Sequence, residues 1–173
     1  MSEKLQSGFG AGLEIETNTS SRILQNYIED NWPTSVGSNP NLPLKADIDF
    51  GAMPDRTRLP ITIRTYTIFS NILNADIGSN FFAFDVPVAI DIFVRDLKAS
   101  AERREPTQLV AMETYLRDFI STNRLGLRGK GINNMGISSI DYIQEPPDDE
   151  QDVVWYHLVV TVRMYYHMNK VPV

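Results

Sequence analysis

Residues 153–168 read VVWYHLVVTVRMYYHM. Every second residue of this run, Val154, Tyr156, Leu158, Val160, Val162, Met164, Tyr166 and Met168, is apolar or aromatic. The interleaved residues Trp155, His157, Val159, Thr161, Arg163, Tyr165 and His167 are mixed in character. Successive side chains of a strand point to opposite faces, so this alternation predicts a strand with one core face and one amphipathic face. Wound into a helix, the same residues would be scattered around its circumference. At ~3.3 Å per residue the strand would run for roughly 50 Å, which is long for so small a protein. A second face of mixed character suits contact with something else, either a helix of the same chain or a neighbouring subunit.

The same one-sided pattern recurs upstream. Over residues 81–96, Val86, Val88, Ile90, Ile92 and Val94 fall on one face, and Pro87, Ala89, Asp91, Phe93 and Arg95 on the other. Pro87 has no N–H to give a ladder, which predicts an edge position or the start of regular pairing. Residues 61–69 (ITIRTYTIF) are dense in β-branched and aromatic residues and read as a strand. Residues 71–80 read as turn, with Gly78-Ser79-Asn80 the clearest break. Residues 137–144 read as a strand, and residues 45–50 as a short edge strand. The acidic link EPPDDEQD (145–152) is short, so the strands on either side should form an antiparallel hairpin.

Two helices complete the layout. Thr19, Ser20 and Ser21 offer N-cap oxygens, Ile23, Leu24, Tyr27 and Ile28 recur at helical spacing with Trp32 closing the face, and Pro33 stops the run. Pro106 suits a first helical turn, and Leu109, Val110, Met112, Glu113, Leu116, Phe119 and Ile120 follow at three- and four-residue steps, ending near Asn123 before Gly126. The predicted order is α-β-β-α-β-β. It implies a two-layer α+β domain with a mainly antiparallel four-stranded sheet and two helices on one face. Residues 1–18 read as a flexible N-terminal arm and 19–173 as a single domain. Residues 33–60, punctuated by Pro33, Pro40, Pro43, Pro54, Pro60, Gly37 and Gly51, form a long loop before the first main strand, a length more often functional than structural.

Composition narrows the function. A chain of 173 residues, 42% hydrophobic and 22% charged, can bury one sizeable core. It has no cysteine, which excludes disulfides, thiolate metal sites and cysteine nucleophiles. A net charge of −6 and a pI near 4.9 disfavour duplex nucleic acid as the main partner. The sequence has no apolar run near the ~18 residues of a membrane span, and MSEKLQSGFGAG lacks the apolar core of a signal peptide, so a soluble, non-exported protein is expected.

Catalytic and metal patterns are sparse. His157 and His167 stand ten residues apart on one strand face, roughly 33 Å along an extended chain, too far to share a metal ion. Asp47, Asp49 and Asp55 lack the Gly and terminal Glu of a calcium loop and read as solvated charges. Residues 125–131 (LGLRGKG) superficially resemble a phosphate loop, but a helix precedes them, a strand follows, and no Ser or Thr follows Lys130. The segment reads as a flexible turn or as a basic contact loop. An enzyme using Asp91, Asp96 or Glu113, and a sheet binding nucleic acid through Arg56, Arg58, Arg128 and Lys130, are the rival readings.

The layout resembles the tail terminator (tail completion) and neck proteins of long-tailed bacteriophages and related archaeal viruses. The residues that carry the resemblance are the N-terminal helix SSRILQNYIEDNW, a strand ending DIFVRD that leads into EPTQLVAMETYLRDFIS, a Gly-rich link, the strand ISSIDYIQEP, an acidic turn and the aromatic closing strand. The 33–60 segment is longer than that family needs. The resemblance implies a structural virion protein, assembled in the host cytoplasm, that forms a homo-oligomeric ring, usually of six copies. Such a ring caps the tail tube, ends its polymerisation and joins it to the head connector, with DNA a further candidate partner in the lumen. It implies no enzymatic activity, no cofactor, no metal and no membrane. Phe93, Trp155, Val159 and Tyr165 are the candidate subunit interface, because aromatics on a nominally outer face favour contact. Arg56, Arg58, Arg128, Lys130, Asp148 and Asp149 are candidate loops toward a partner or the lumen.

Overall fold

The computed structural model describes residues 20–51, 60–68, 71–74, 81–97, 107–130, 132–144 and 153–169. Its spine is a pair of 17-residue strands, β4 (Phe81–Leu97) and β6 (Val153–Asn169), which run antiparallel and pair along their full length, from Phe81 opposite Asn169 to Leu97 opposite Val153. The register puts Val86 opposite Met164, Val88 opposite Val162, Ile90 opposite Val160 and Ile92 opposite Leu158. All eight are fully buried, so one continuous apolar face is built from two strands far apart in sequence. By area transfer, full burial of one such side chain is worth roughly 1.5–3 kcal/mol.

The sheet grows outward from this pair. β2 (Ile61–Thr67) lies antiparallel to β4, and β1 (Ile48–Phe50) adds a short parallel edge beside β2. β5 (Ile132–Gln144) lies antiparallel to β6 on the far side, as the short acidic link predicted. The order is β1-β2-β4-β6-β5, with β3 (Asn71–Asn74) a further strand on β4. The expected four-stranded sheet is thus corrected to six strands, mixed through the parallel β1–β2 pair. The α+β class stands.

β3 replaces part of the predicted turn at 71–80. β2 covers β4 from Val88 to Val94, and β3 takes the same edge from Ala83 to Asp85. Pro87 sits at that junction, within a central strand and not at a sheet edge. Its carbonyl accepts from Ile68 N on this side, and its ring nitrogen, which has no N–H to give, falls where one neighbour ends and the next begins. β5 begins at Ile132, five residues earlier than predicted. Register shifts at Ile132/Asn134 and Ile137/Ser139 absorb the extra residues and move the phase facing the helix layer from Met135 and Ile137 to Ile140 and the exposed Tyr142.

The helices close one face. α1 spans residues 20–31 and α2 spans Thr107–Thr122. Leu24, Ile28 and Trp32 from the first, and Leu109, Met112, Leu116 and Ile120 from the second, join one core with the apolar face of the strands. α1 is tied to β2 by Thr65 Oγ1 donating to Ser21 O at 2.7 Å. Ring contacts run Phe50–Trp32–Tyr115–Phe119–Tyr27 and link the two helices. Trp32 Nε1 donates to Pro43 O at 2.9 Å, which folds the 33–44 loop back on the end of α1. The predicted arm 1–18 lies outside the described residues.

Candidate interaction face

The other side of the sheet carries no helix among the described residues. Its rows follow from the register. Thr62, Phe93, His157 and Ile143 form one, Arg64, Asp91, Val159 and Asp141 the next, and Tyr66, Ala89, Thr161 and Ser139 the third. Asp85 lies beside Tyr165, and Arg95 beside Trp155. All four candidate interface residues, Phe93, Trp155, Val159 and Tyr165, therefore share this face.

At its centre is a buried carboxylate. Asp91 is only 1% exposed. An ionised carboxylate removed from water needs charged or donor partners. Arg64 Nε and Nη2 both donate to Asp91 Oδ2, at 3.0 and 2.9 Å. His157 Nε2 lies 3.4 Å from Oδ1, near this carboxylate but not aligned as a hydrogen bond. The Tyr66 hydroxyl also bonds this carboxylate. Partial burial, followed by the nearby Asp91 charge, pushes the Tyr66 pKa up against the opposing pull of Arg64.

Phe93 is packed inside this network. His157 stacks on it at 4.1 Å and 13°, and the Arg64 guanidinium lies 5.3 Å from its centroid. At 7% exposure Phe93 is covered by its own chain, whereas Trp155, Val159 and Tyr165 remain half-buried and Tyr66 and Ile143 are exposed. A second ion pair, Arg163 Nη1 to Asp85 Oδ2 at 3.4 Å, lies further along the face. Arg64, Tyr66 and His157 were not singled out in the sequence as partners of Asp91. The available signal was Asp91 itself, a charge at the middle of a strand whose other charges, Asp85, Arg95 and Asp96, lie toward its ends.

The remaining predicted positions disperse. Glu113 lies on α2, in the helix layer opposite Asp91, so these two carboxylates do not converge. The Tyr142 hydroxyl holds the Glu113 carboxyl below its usual value of 4.5, against burial and with help from Arg117. The Asp96 side chain lies outside the described residues. Arg128 and Lys130 are exposed in the 3₁₀ turn Arg128–Lys130, where Arg128 Nε donates to Asn133 O at 3.3 Å. Arg56, Arg58, Asp148, Asp149 and Asp55 lie outside the described residues. Asp47 Oδ2 accepts from Leu44 N at 3.3 Å. Among the described residues no His, Asp and Glu side chains group as a metal site, and no helix is long and apolar enough to cross a membrane.

A concavity lies elsewhere, between residues 33–44 and α2. It holds about 360 Å³ and is lined by Ser35, Ser38, Leu42, Thr114, Tyr115 and Asp118 among others. Comparison with known proteins gives no match, either to a family model or to a curated protein.

Proposed function

We propose that this chain is a structural virion protein of the tail-terminator or neck type. It acts without catalysis, assembling with copies of itself into a ring of about six subunits that caps the tail tube and joins it to the head connector. The observation that carries the reading is the sheet face that no helix covers among the described residues. The 17-residue strand β6 presents Trp155, Val159 and Tyr165 half-buried and in one phase, beside a network that holds Asp91, Arg64 and His157 in place. A ring subunit needs such a surface, partly apolar, with its buried charge already paired so that contact does not strand it. The architectural resemblance supplies the identity of the ring's neighbours, the tail-tube protein and the head connector.

The test is mass in solution. Sedimentation of the purified chain should give a closed oligomer, and electron micrographs should show rings. The oligomer should bind the ends of purified tail tubes. Trp155→Ser with Tyr165→Ser should dissociate it while far-ultraviolet circular dichroism stays unchanged. A wild-type chain that stays monomeric at all concentrations and ignores tube ends would overturn the proposal.

A further inference from the structure

We propose that the groove between residues 33–44 and α2 is the receptor for the 125–130 turn of a second copy of this chain. The inference rests on the self-assembly reading above and names one contact that builds the ring.

The groove has the chemistry of a socket for a basic side chain with an apolar neighbour. Its lining includes one charged group, Asp118. This carboxylate is exposed and has no hydrogen-bond or salt-bridge partner among the described residues. The Ser35 and Ser38 side chains and the Asn39 amide add polar groups around it, and Leu42 and the Tyr115 ring supply an apolar floor. No lysine or arginine lines the groove, so a phosphate or carboxylate ligand finds no counter-charge there. Two large apolar side chains flank the lining: Val36, 71% exposed between Ser35 and Gly37, and Val110, 41% exposed beside Ala111. A largely apolar groove with exposed apolar side chains next to its lining residues fits a protein surface better than a small charged solute.

The turn is the complementary shape. Arg128 and Lys130 are exposed, and Leu125 is 42% exposed next to them. The turn is also stiff. Leu127 is buried beneath it, Lys130 N donates to Leu127 O at 2.9 Å, and Met135 N donates to Arg124 O at 2.9 Å. A rigid basic and apolar prong loses little entropy on docking into an acidic and apolar socket. Prong and socket are different surfaces, and each copy carries one of each. Their pairing is therefore head-to-tail, the kind of contact that closes into a ring.

The native chain has no cysteine, which makes crosslinking clean. Asp118→Cys chains mixed with Lys130→Cys chains under mild oxidation should give a disulfide-linked pair in excess of either chain alone. In parallel, Asp118→Lys and the pair Arg128→Glu with Lys130→Glu should each raise the midpoint concentration of assembly by roughly tenfold, and combining them should restore it, the scale of one charged contact at an interface. Thermal melts of these surface variants should match wild type. Absence of the mixed crosslink together with an unchanged midpoint would overturn the socket while leaving an assembled wild type, and hence the ring reading, standing. A wild type that never assembles overturns both. If Asp118→Lys abolishes only binding to tail-tube protein, the occupant is that protein and the second-copy assignment is wrong.

Discussion

Arg64→Met tests whether the face that carries Asp91 is held by its central ion pair. Asp91 keeps its charge inside the sheet because the Arg64 guanidinium meets one oxygen through two donors at 2.9 and 3.0 Å. Two unit charges about 4 Å apart attract by about 4 kcal/mol at an effective dielectric near 20, before desolvation is counted. Removing one partner of a buried pair costs about 3–5 kcal/mol, chiefly because the other charge is left stranded. Arg64 is 26% exposed, and Tyr66 and His157 still face Asp91, so the lower end applies, about 3 kcal/mol. Loss of the guanidinium over Phe93 adds about 0.5–1 kcal/mol. Urea unfolding at pH 7 and low protein concentration should show the midpoint falling by about 2 M, for an m-value near 2 kcal/mol/M. Adding Asp91→Leu to Arg64→Met removes the stranded charge and should recover about 2 kcal/mol. A single variant that shifts the midpoint by less than about 0.5 M, or a double variant no more stable than the single, would refute the reasoning.

Two further outcomes follow from the helix layer. A Cβ added at Gly126 would lie 2.4 Å from the Tyr27 hydroxyl and 3.1 Å from Asn123 O, so Gly126→Ala should cost about 1–3 kcal/mol by thermal or urea denaturation. The cost should shrink in a Tyr27→Phe background, and an equal cost in both backgrounds would show that the hydroxyl is not the obstacle. The carboxyl of Glu113 titrates below its usual value of 4.5 because Tyr142 donates to it, so its contribution to stability is present above that pH and is lost as the pH falls below it. Tyr142→Phe should therefore flatten the acid limb of the stability–pH curve, and an unchanged limb in the variant would remove this pair from the account.

Much of the fold was legible in local periodicity. Alternation in 81–96 and 153–168 marked two long strands and named their core faces, and Val86, Ile90, Leu158 and Val160 are buried as that phase requires. The three- and four-residue spacing of Leu109, Met112, Leu116 and Ile120 marked α2 to within a residue at its C-terminal end. Those patterns are legible because a strand or helix sorts its own side chains by geometry alone. β3 was not legible: Asn71, Ile72 and Asn74 pair only because β4 outruns β2 and leaves an edge to fill. Nor was the start of β5, where Asn133, Asn134 and Gly136 read as turn residues until two register shifts accommodate them.

For the interaction face the division is sharper. The sequence by itself determined that Trp155, Val159, Tyr165 and Phe93 share a side of their strands, and that Asp91 brings a charge to it. Only the tertiary structure decided that Arg64, Tyr66 and His157 gather on Asp91, that Phe93 is buried among them, and that the 33–44 loop opens a groove against α2. The physical reason is reach. Periodicity belongs to one segment and can be read along it, whereas the partner of a buried charge is set by the register between strands, which is a choice the whole sheet makes at once.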